Sequence, residues 1–347
     1  KITPSIDSLR LAGRVNGELA LLQEKGVYFP TSTITIDSLG VNDTELGKLT
    51  INASGNEGLT EFRINTKLVG SDNNKSFSAI GSINVAGGSE SINLDVDFND
   101  FNMSGFSALG GDVISNIRGM VSGSAKVLGK YANPSIDGRL LLKNAGLKIP
   151  YLNVDLNLED NAVVKLSGQR FNFDDVNITD TAYNTKGILG GYIEHYQFSK
   201  WNMGLRLLAP DRLLVLNTEG DEDSLYYGTA FISGQAEING PTDELVIDVI
   251  ATTERGTIFK IPLNDTESLG DNSYIHFLSP EEKRARLRGQ DIQLEEVNGL
   301  ALNFDLDVNN NAEVEIVVDQ TSGSSLRGRG AGTLLIEINT NGKFNMW

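Results

Sequence analysis

The chain has 347 residues, with 46 acidic against 29 basic side chains and a net charge of −17. That charge argues against nucleic acid and against an anionic membrane surface as electrostatic partners. Cysteine is absent and there are only two histidines, which excludes disulfides and thiolate metal sites and leaves little for a multi-histidine centre. We therefore expect no metal and no cofactor.

Alternation of apolar and polar residues dominates the chain and predicts strands with one apolar face. Asp and Asn occupy the other face, and glycines, 37 in all, interrupt the runs. The clearest apolar series, in chain order, are Leu94, Val96 and Phe98; Leu152, Val154 and Leu156; Leu302, Phe304, Leu306 and Val308; Val314, Ile316 and Val318; and Leu334, Ile336 and Ile338.

Only two segments have helical spacing. Phe106–Met120 predicts one short amphipathic helix, and Pro210–Leu216 predicts a second, shorter one. Everything else indicates strands, and no alternating helices point to a parallel α/β fold. The fold class is therefore predicted as all-β.

A long-range repeat links distant parts of the chain. Units begin near Gly13, Gly123 and Gly234, which are 110 and 111 residues apart, and a partial unit begins near Gly330. Repeats of this kind predict an elongated stack in which each unit contacts its neighbours. We expect one continuous domain over residues 1–347, and expect it to be an internal piece of a longer protein.

Strands with one apolar face are numerous, and the predicted helices are too few to cover all of those apolar faces. A second sheet, a closed β-helix, or a groove filled by something apolar that is not protein would each solve the problem. The residues alone leave these three solutions open. The same side chains could therefore pack on protein or contact lipid.

The C-terminal segment 294–347 contains GLALNFDLDV and SGSSLRGRGAGTLLIEINTNGKF, and it resembles the start of the C-terminal domain of TamB. Segments SGQAEINGPTDELVIDV and NPSIDGRLLLKNA resemble AsmA/TamB-type repeats, with most similarity to Bacteroidota-type homologues. The resemblance implies a U-shaped apolar β-groove, or β-taco, that spans the periplasm. It also implies a non-enzymatic protein that carries phospholipid between inner and outer membranes and supports outer-membrane protein assembly.

Partners and candidate residues follow from the same resemblance. It implies an Omp85-family, TamA-like barrel in the outer membrane and an inner-membrane anchor, both engaged through residues beyond this sequence. The apolar series given above would form the lipid groove. A tight turn or bulge with flanking arginines is the preferred explanation of the Arg327–Gly332 run. The less favoured alternative is that Arg327 and Arg329 touch lipid head groups at the rim of the groove.

Other functions fit the sequence less well. An extracellular β-solenoid or β-sandwich adhesin, or a scaffold, would close the apolar face on protein and bind through loops. A β-helix polysaccharide lyase would need clustered carboxylates that we cannot assemble here. The pairs Asp95/Asp97 and Asp305/Asp307 lack a calcium-binding loop and predict a solvated face. His195 and His276 lack a nucleophile motif and are expected on the surface or on edge strands.

Overall fold

A computed structural model describes residues 10–70, 74–88, 90–110, 114–130, 133–197, 200–220, 226–242, 244–262, 301–319, 323–339 and 343–346. Within these ranges the chain forms one mixed sheet of 21 strands and two short 3-10 helices, Ser104–Gly110 and Pro150–Leu152. The prediction of an all-β, elongated groove is confirmed. The strands are β1 (Leu11–Glu24), β2 (Val27–Val41), β3 (Thr44–Gly55), β4 (Glu61–Val69), β5 (Lys75–Asn84), β6 (Ser91–Asn102), β7 (Ser115–Gly129), β8 (Ser135–Ile149), β9 (Val154–Leu158), β10 (Ala162–Ser167), β11 (Arg170–Asp180), β12 (Lys186–Tyr196), β13 (Lys200–Thr218), β14 (Tyr227–Pro241), β15 (Val246–Thr253), β16 (Ile258–Pro262), β17 (Ala301–Val308), β18 (Glu313–Asp319), β19 (Ser324–Gly328), β20 (Gly332–Asn339) and β21 (Lys343–Met346).

Strand order follows the sequence almost throughout. Strands β1 to β8 form an antiparallel meander, and β11 to β14 continue it. Between and beyond them, four positions each hold two short strands: β9 with β10, β15 with β16, β17 with β18, and β19 with β20. The only parallel pairings described join β15 to β17 and β16 to β18. The 21 strands thus fill seventeen positions, a contour of about 75 Å at ~4.8 Å per strand.

A line of irregularities crosses the sheet at nearly one level, and we call it the crease. It passes through register shifts at Ala12/Arg14, Phe98/Phe101 and Phe173/Val176, and then Ala209/Leu213. The crease continues through the breaks that separate the two short strands in each shared position. The pairs Thr252–Asp307 and Val308–Gly332 lie at the ends of β15, β17 and β20, next to these breaks. Bulges bend a strand and sharpen its twist, so a row of them folds a sheet along a line.

The crease divides the sheet into two walls. Strands β10, β15, β17 and β20 belong to the first wall, and β9, β16, β18 and β19 to the second. Strands β7, β8 and β11 to β14 cross the crease and contribute to both walls. The second wall is short near the N-terminus, where the helix Ser104–Gly110 contacts β2, β3 and β7.

Two glycines near the crease allow the backbone of a neighbouring strand to come unusually close. Gly123 (φ +139°) and Gly234 (φ +144°) both begin a predicted repeat unit. A Cβ atom would lie 2.2 Å from the Arg139 carbonyl oxygen in the first case and 2.4 Å from that of Ile250 in the second. Only glycine combines this backbone conformation with such contact.

Both helix predictions are wrong in the same way. Among the described residues of the Phe106–Met120 segment, residues 115–120 belong to β7, and the helical part is the end of the 3-10 helix Ser104–Gly110. The Pro210–Leu216 segment lies inside β13. Each segment contains two register shifts. An extra residue at a bulge changes apolar spacing from two to three, which imitates a helix. Val113 of that pattern lies outside the described residues.

Candidate apolar groove

An apolar groove runs between the two walls from β8 to β20. Four of its lining residues, Tyr226, Thr253, Thr257 and Glu313, carry a polar atom in the side chain. The others are aliphatic, methionine or phenylalanine: Ile114, Leu147, Ile149, Leu152, Leu156, Leu158, Ile178, Leu189, Met203, Leu205, Leu207, Val215, Leu216, Ala230, Ile232, Ala236, Ile238, Leu245, Ile247, Val249, Phe259, Leu302, Phe304, Leu306, Val308, Ala312, Val314 and Leu334. The arrangement can bind apolar molecules by removing their surface from water.

Strand pairing places the first-wall residues in straight rows. Leu189, Leu207, Ala236, Val249 and Phe304 are direct partners across five neighbouring strand positions. At ~4.8 Å per strand, this row is about 19 Å long. All five side chains line the groove, so its wall is apolar without interruption along that length.

The second wall also contributes apolar groups to the lining. Leu152 and Leu156 come from β9 and the turn before it, Phe259 from β16, and Val314 from β18. The chain reverses direction at the outer edge of this wall, at Pro150–Leu152 and between β13 and β14. We call that edge the rim of the second wall.

The structure places half of the sixteen predicted groove residues in the lining: Leu152, Leu156, Leu302, Phe304, Leu306, Val308, Val314 and Leu334. Their lipid contacts remain predictions. The shared signal was a strand with apolar residues on one face and Asp or Asn on the other.

Six other predicted residues, all described, are not part of this lining: Leu94, Val96, Phe98, Val154, Ile316 and Val318. Leu94, Val96 and Phe98 lie in β6, where the Phe98 ring packs 5.3 Å from Phe77 and 5.5 Å from Phe101. Val154 is 2% exposed and packs in a cluster with Leu214 and Phe231. Val96 is 7% exposed, so Val96, Phe98 and Val154 pack on other protein side chains.

At the far end of the second wall, the predicted residues Ile316 and Val318 are 36% and 44% exposed. They share the strand face of Val314 but lie beyond the lining. Ile336 and Ile338 are paired in β20, and their side chains lie outside the described residues.

Sequence reasoning missed all of the lining contributed by β13 to β15. Met203, Leu205 and Leu207 alternate as expected, but Leu208 follows directly and faces away. In β15, Ile250 on the opposite face is 59% exposed. Apolar residues on both faces hide the alternation, although the inward series was present in the sequence.

The two candidate head-group arginines are engaged in ion pairs. Arg327 lies 3.0 Å from Glu315, and Arg329 lies 3.2 Å from Glu313. Lys260 approaches Glu315 at 3.2 Å from the other side. A hydrogen bond from Ser325, joined by those from the two cations, lowers the pKa of Glu315. A lipid phosphate would have to compete with these carboxylates for either arginine.

His195 is buried in an internal strand, so the surface or edge-strand expectation is wrong. Its ring is 3% exposed and lies 5.7 Å from Phe171 and 5.4 Å from Trp201. Burial lowers the pKa of His195, against the weaker opposing charge of Glu194. The neutral ring therefore packs as an aromatic. His276 lies outside the described residues.

Among the described ranges, no three His, Cys, Asp or Glu side chains are grouped to hold a metal ion. The same part of the chain contains no helix with the length and apolar character to cross a membrane. Of the predicted solvated acidic pairs, Asp95 is exposed and lies 3.3 Å from Lys126, and Asp305 and Asp307 are also exposed.

The protein is a groove-forming β-protein: its sheet folds along the crease around the apolar groove. A model of the TamB C-terminal domain matches residues 174–347, half of the chain, and the chain belongs to that family. The match includes the segment 294–347 and the SGQAEINGPTDELVIDV segment that resembled the family, but not the NPSIDGRLLLKNA segment. Neither the curated proteins nor the solved structures contain a match.

Family membership associates the chain with the translocation and assembly module and with transport of lipid or protein. It also suggests a membrane-associated, periplasm-spanning, non-enzymatic protein that works with an outer-membrane partner.

Proposed function

We propose that the groove shields the acyl chains of phospholipids, and that the protein carries them between the inner and outer membranes in support of outer-membrane biogenesis. The observation that carries this proposal is the apolar character of the lining. Of its 32 residues, four have a polar atom in the side chain. A protein or peptide ligand would need many more hydrogen-bonding partners for its backbone.

The size of the groove suits acyl chains. The row from Leu189 to Phe304 is about 19 Å long, and half of a 30 Å hydrocarbon core, the reach of one leaflet, is about 15 Å. Each 100 Å² of apolar surface removed from water contributes about 2.5 kcal/mol. Charged head groups would stay in water at the open side.

Movement along the groove needs no energy source within this sequence, which lacks a phosphate-binding G-x-x-x-x-G-K-[ST] loop. Lipids would diffuse along the apolar track, and the direction would be imposed elsewhere. In this proposal an Omp85-family, TamA-like barrel receives the outer-membrane end. An inner-membrane anchor holds the other end.

Transfer between vesicles tests this function. The purified chain is mixed with donor vesicles carrying a self-quenched fluorescent phospholipid and with unlabelled acceptor vesicles. We expect transfer to accelerate in proportion to protein concentration, and a water-soluble dye inside the donors to stay enclosed. Unchanged transfer, with no lipid bound to the chain, would favour the closed scaffold or adhesin instead.

A further inference from the structure

Two tyrosines meet at the rim of the second wall. Tyr151 lies in the Pro150–Leu152 turn between β8 and β9, and Tyr226 directly precedes β14. The Tyr226 hydroxyl donates to the Tyr151 hydroxyl at 3.1 Å, and the rings meet edge to face at 6.5 Å. The Tyr226 ring also stacks on Phe259 at 5.4 Å, which fixes its position in the groove wall.

The two phenols differ in their surroundings. Tyr226 lines the groove, and burial, with its hydrogen bond to Tyr151, raises the pKa of its hydroxyl. Tyr151 is 43% exposed at the edge. Because Tyr226 gives its proton to Tyr151, the Tyr151 proton is directed elsewhere, and no hydrogen bond from it to another described residue exists in the structure. The rim of the second wall therefore presents an uncharged hydrogen-bond donor, the hydroxyl group of Tyr151.

Three cations on the second wall are already engaged by carboxylates. Lys260 and Arg327 both pair with Glu315, at 3.2 and 3.0 Å, and Arg329 pairs with Glu313. A neutral donor just above an apolar surface matches an uncharged acceptor that adjoins hydrocarbon. In a membrane lipid, that acceptor is the ester carbonyl at the head of each acyl chain.

We propose that Tyr151 donates a hydrogen bond to an ester carbonyl oxygen of a diacyl lipid whose chains lie in the groove, and that Tyr226 is the positioning residue that orients Tyr151. This assignment rests on the proposed function. It makes the site selective for ester-linked lipids and indifferent to the polar head group.

The test compares two phosphatidylglycerols with equal chain lengths, one with ester-linked and one with ether-linked chains. The ether lipid keeps the phosphate but lacks the carbonyl groups. Dissociation constants are measured for the whole chain and for Tyr151→Phe, Tyr226→Phe, the double variant, and Tyr28→Phe. Tyr28 is a 50% exposed tyrosine on β2, away from the groove, and serves as the control. Each change removes one hydroxyl, and circular dichroism confirms the strand content.

We expect Tyr151→Phe to weaken binding of the ester lipid about fivefold, the value of one hydrogen bond, and to leave the ether lipid unchanged. Tyr226→Phe weakens ester binding less, and the double variant binds no more weakly than Tyr151→Phe, because both act through one donor. Tyr28→Phe has no effect.

Equal losses for ester and ether lipids would overturn the carbonyl assignment and point to the phosphate. No loss for either lipid would overturn the contact itself. If the unaltered chain bound neither lipid, the proposed function would fail, which is a distinct result.

Discussion

Two adjacent leucines on β13 give the sharpest test of which face of the sheet binds acyl chains. Leu207 lines the groove and pairs with Leu189 and Ala236, whereas Leu208 is 38% exposed on the opposite face. Leu207→Asp and Leu208→Asp remove the same side chain and add the same charge one residue apart. They differ only in the face of the sheet that receives the carboxylate.

The magnitude follows from the cost of placing a carboxyl group against hydrocarbon. An ordinary aspartate pKa of about 3.9 makes protonation at pH 7 cost about 4 kcal/mol, a factor of about a thousand. That value is a ceiling, because any contact of the carboxylate with water lowers the cost. We expect Leu207→Asp to weaken phospholipid binding at least tenfold and Leu208→Asp less than twofold.

The assay is a titration of each variant with a fluorescent diacyl phospholipid, beside urea unfolding of the same samples. The unfolding midpoint separates loss of the groove from loss of the fold. Equal effects of the two variants on binding, or normal binding by Leu207→Asp, would refute the placement of acyl chains on this face.

Three further predictions concern the fold. Burial lowers the pKa of His195, so below about pH 6.5 the unfolded chain binds a proton that the folded chain does not. The free energy of unfolding should therefore fall as the pH drops through this range. His195→Phe should reduce the change in the urea midpoint between about pH 7.5 and pH 5.5. Asp180 is fully buried and accepts the amide protons of Ala182, Tyr183 and Thr185 at 3.0, 2.7 and 2.5 Å. Asp180→Ala should cost about 3 kcal/mol by chemical denaturation, and Asp180→Asn clearly less; equal losses would contradict this role. Gly234→Ala should destabilise by more than about 2 kcal/mol because its Cβ would meet a carbonyl oxygen, whereas Gly17→Ala, in open space, should be neutral in the same melts.

Strands with a polar outer face were predictable from the sequence. In β17, Asn303, Asp305 and Asp307 mark the outside and leave no doubt about the apolar face, and the residues between them line the groove. The alternation also predicted an all-β chain. What it could not give was the face of strands such as β13, where Leu207 and Leu208 are both apolar.

The crease explains the larger errors. Bulges near residues 115–120 and 209–216 add residues out of step, so apolar spacing there imitates a helix. Bulges depend on pairing between strands distant in sequence, and a single alternation pattern does not record that pairing. The second wall, and with it the rim tyrosines, could not be placed for the same reason.

The central claim is that the groove holds lipid, and native mass spectrometry of the chain purified from membranes, followed by extraction and identification of any released lipid, tests it most directly. The account predicts phospholipid bound to the protein, and its loss when Leu306 and Val314, both in the lining, are replaced by aspartate. A monodisperse, lipid-free protein that keeps its fold would contradict the account. The apolar walls would then have to close on protein.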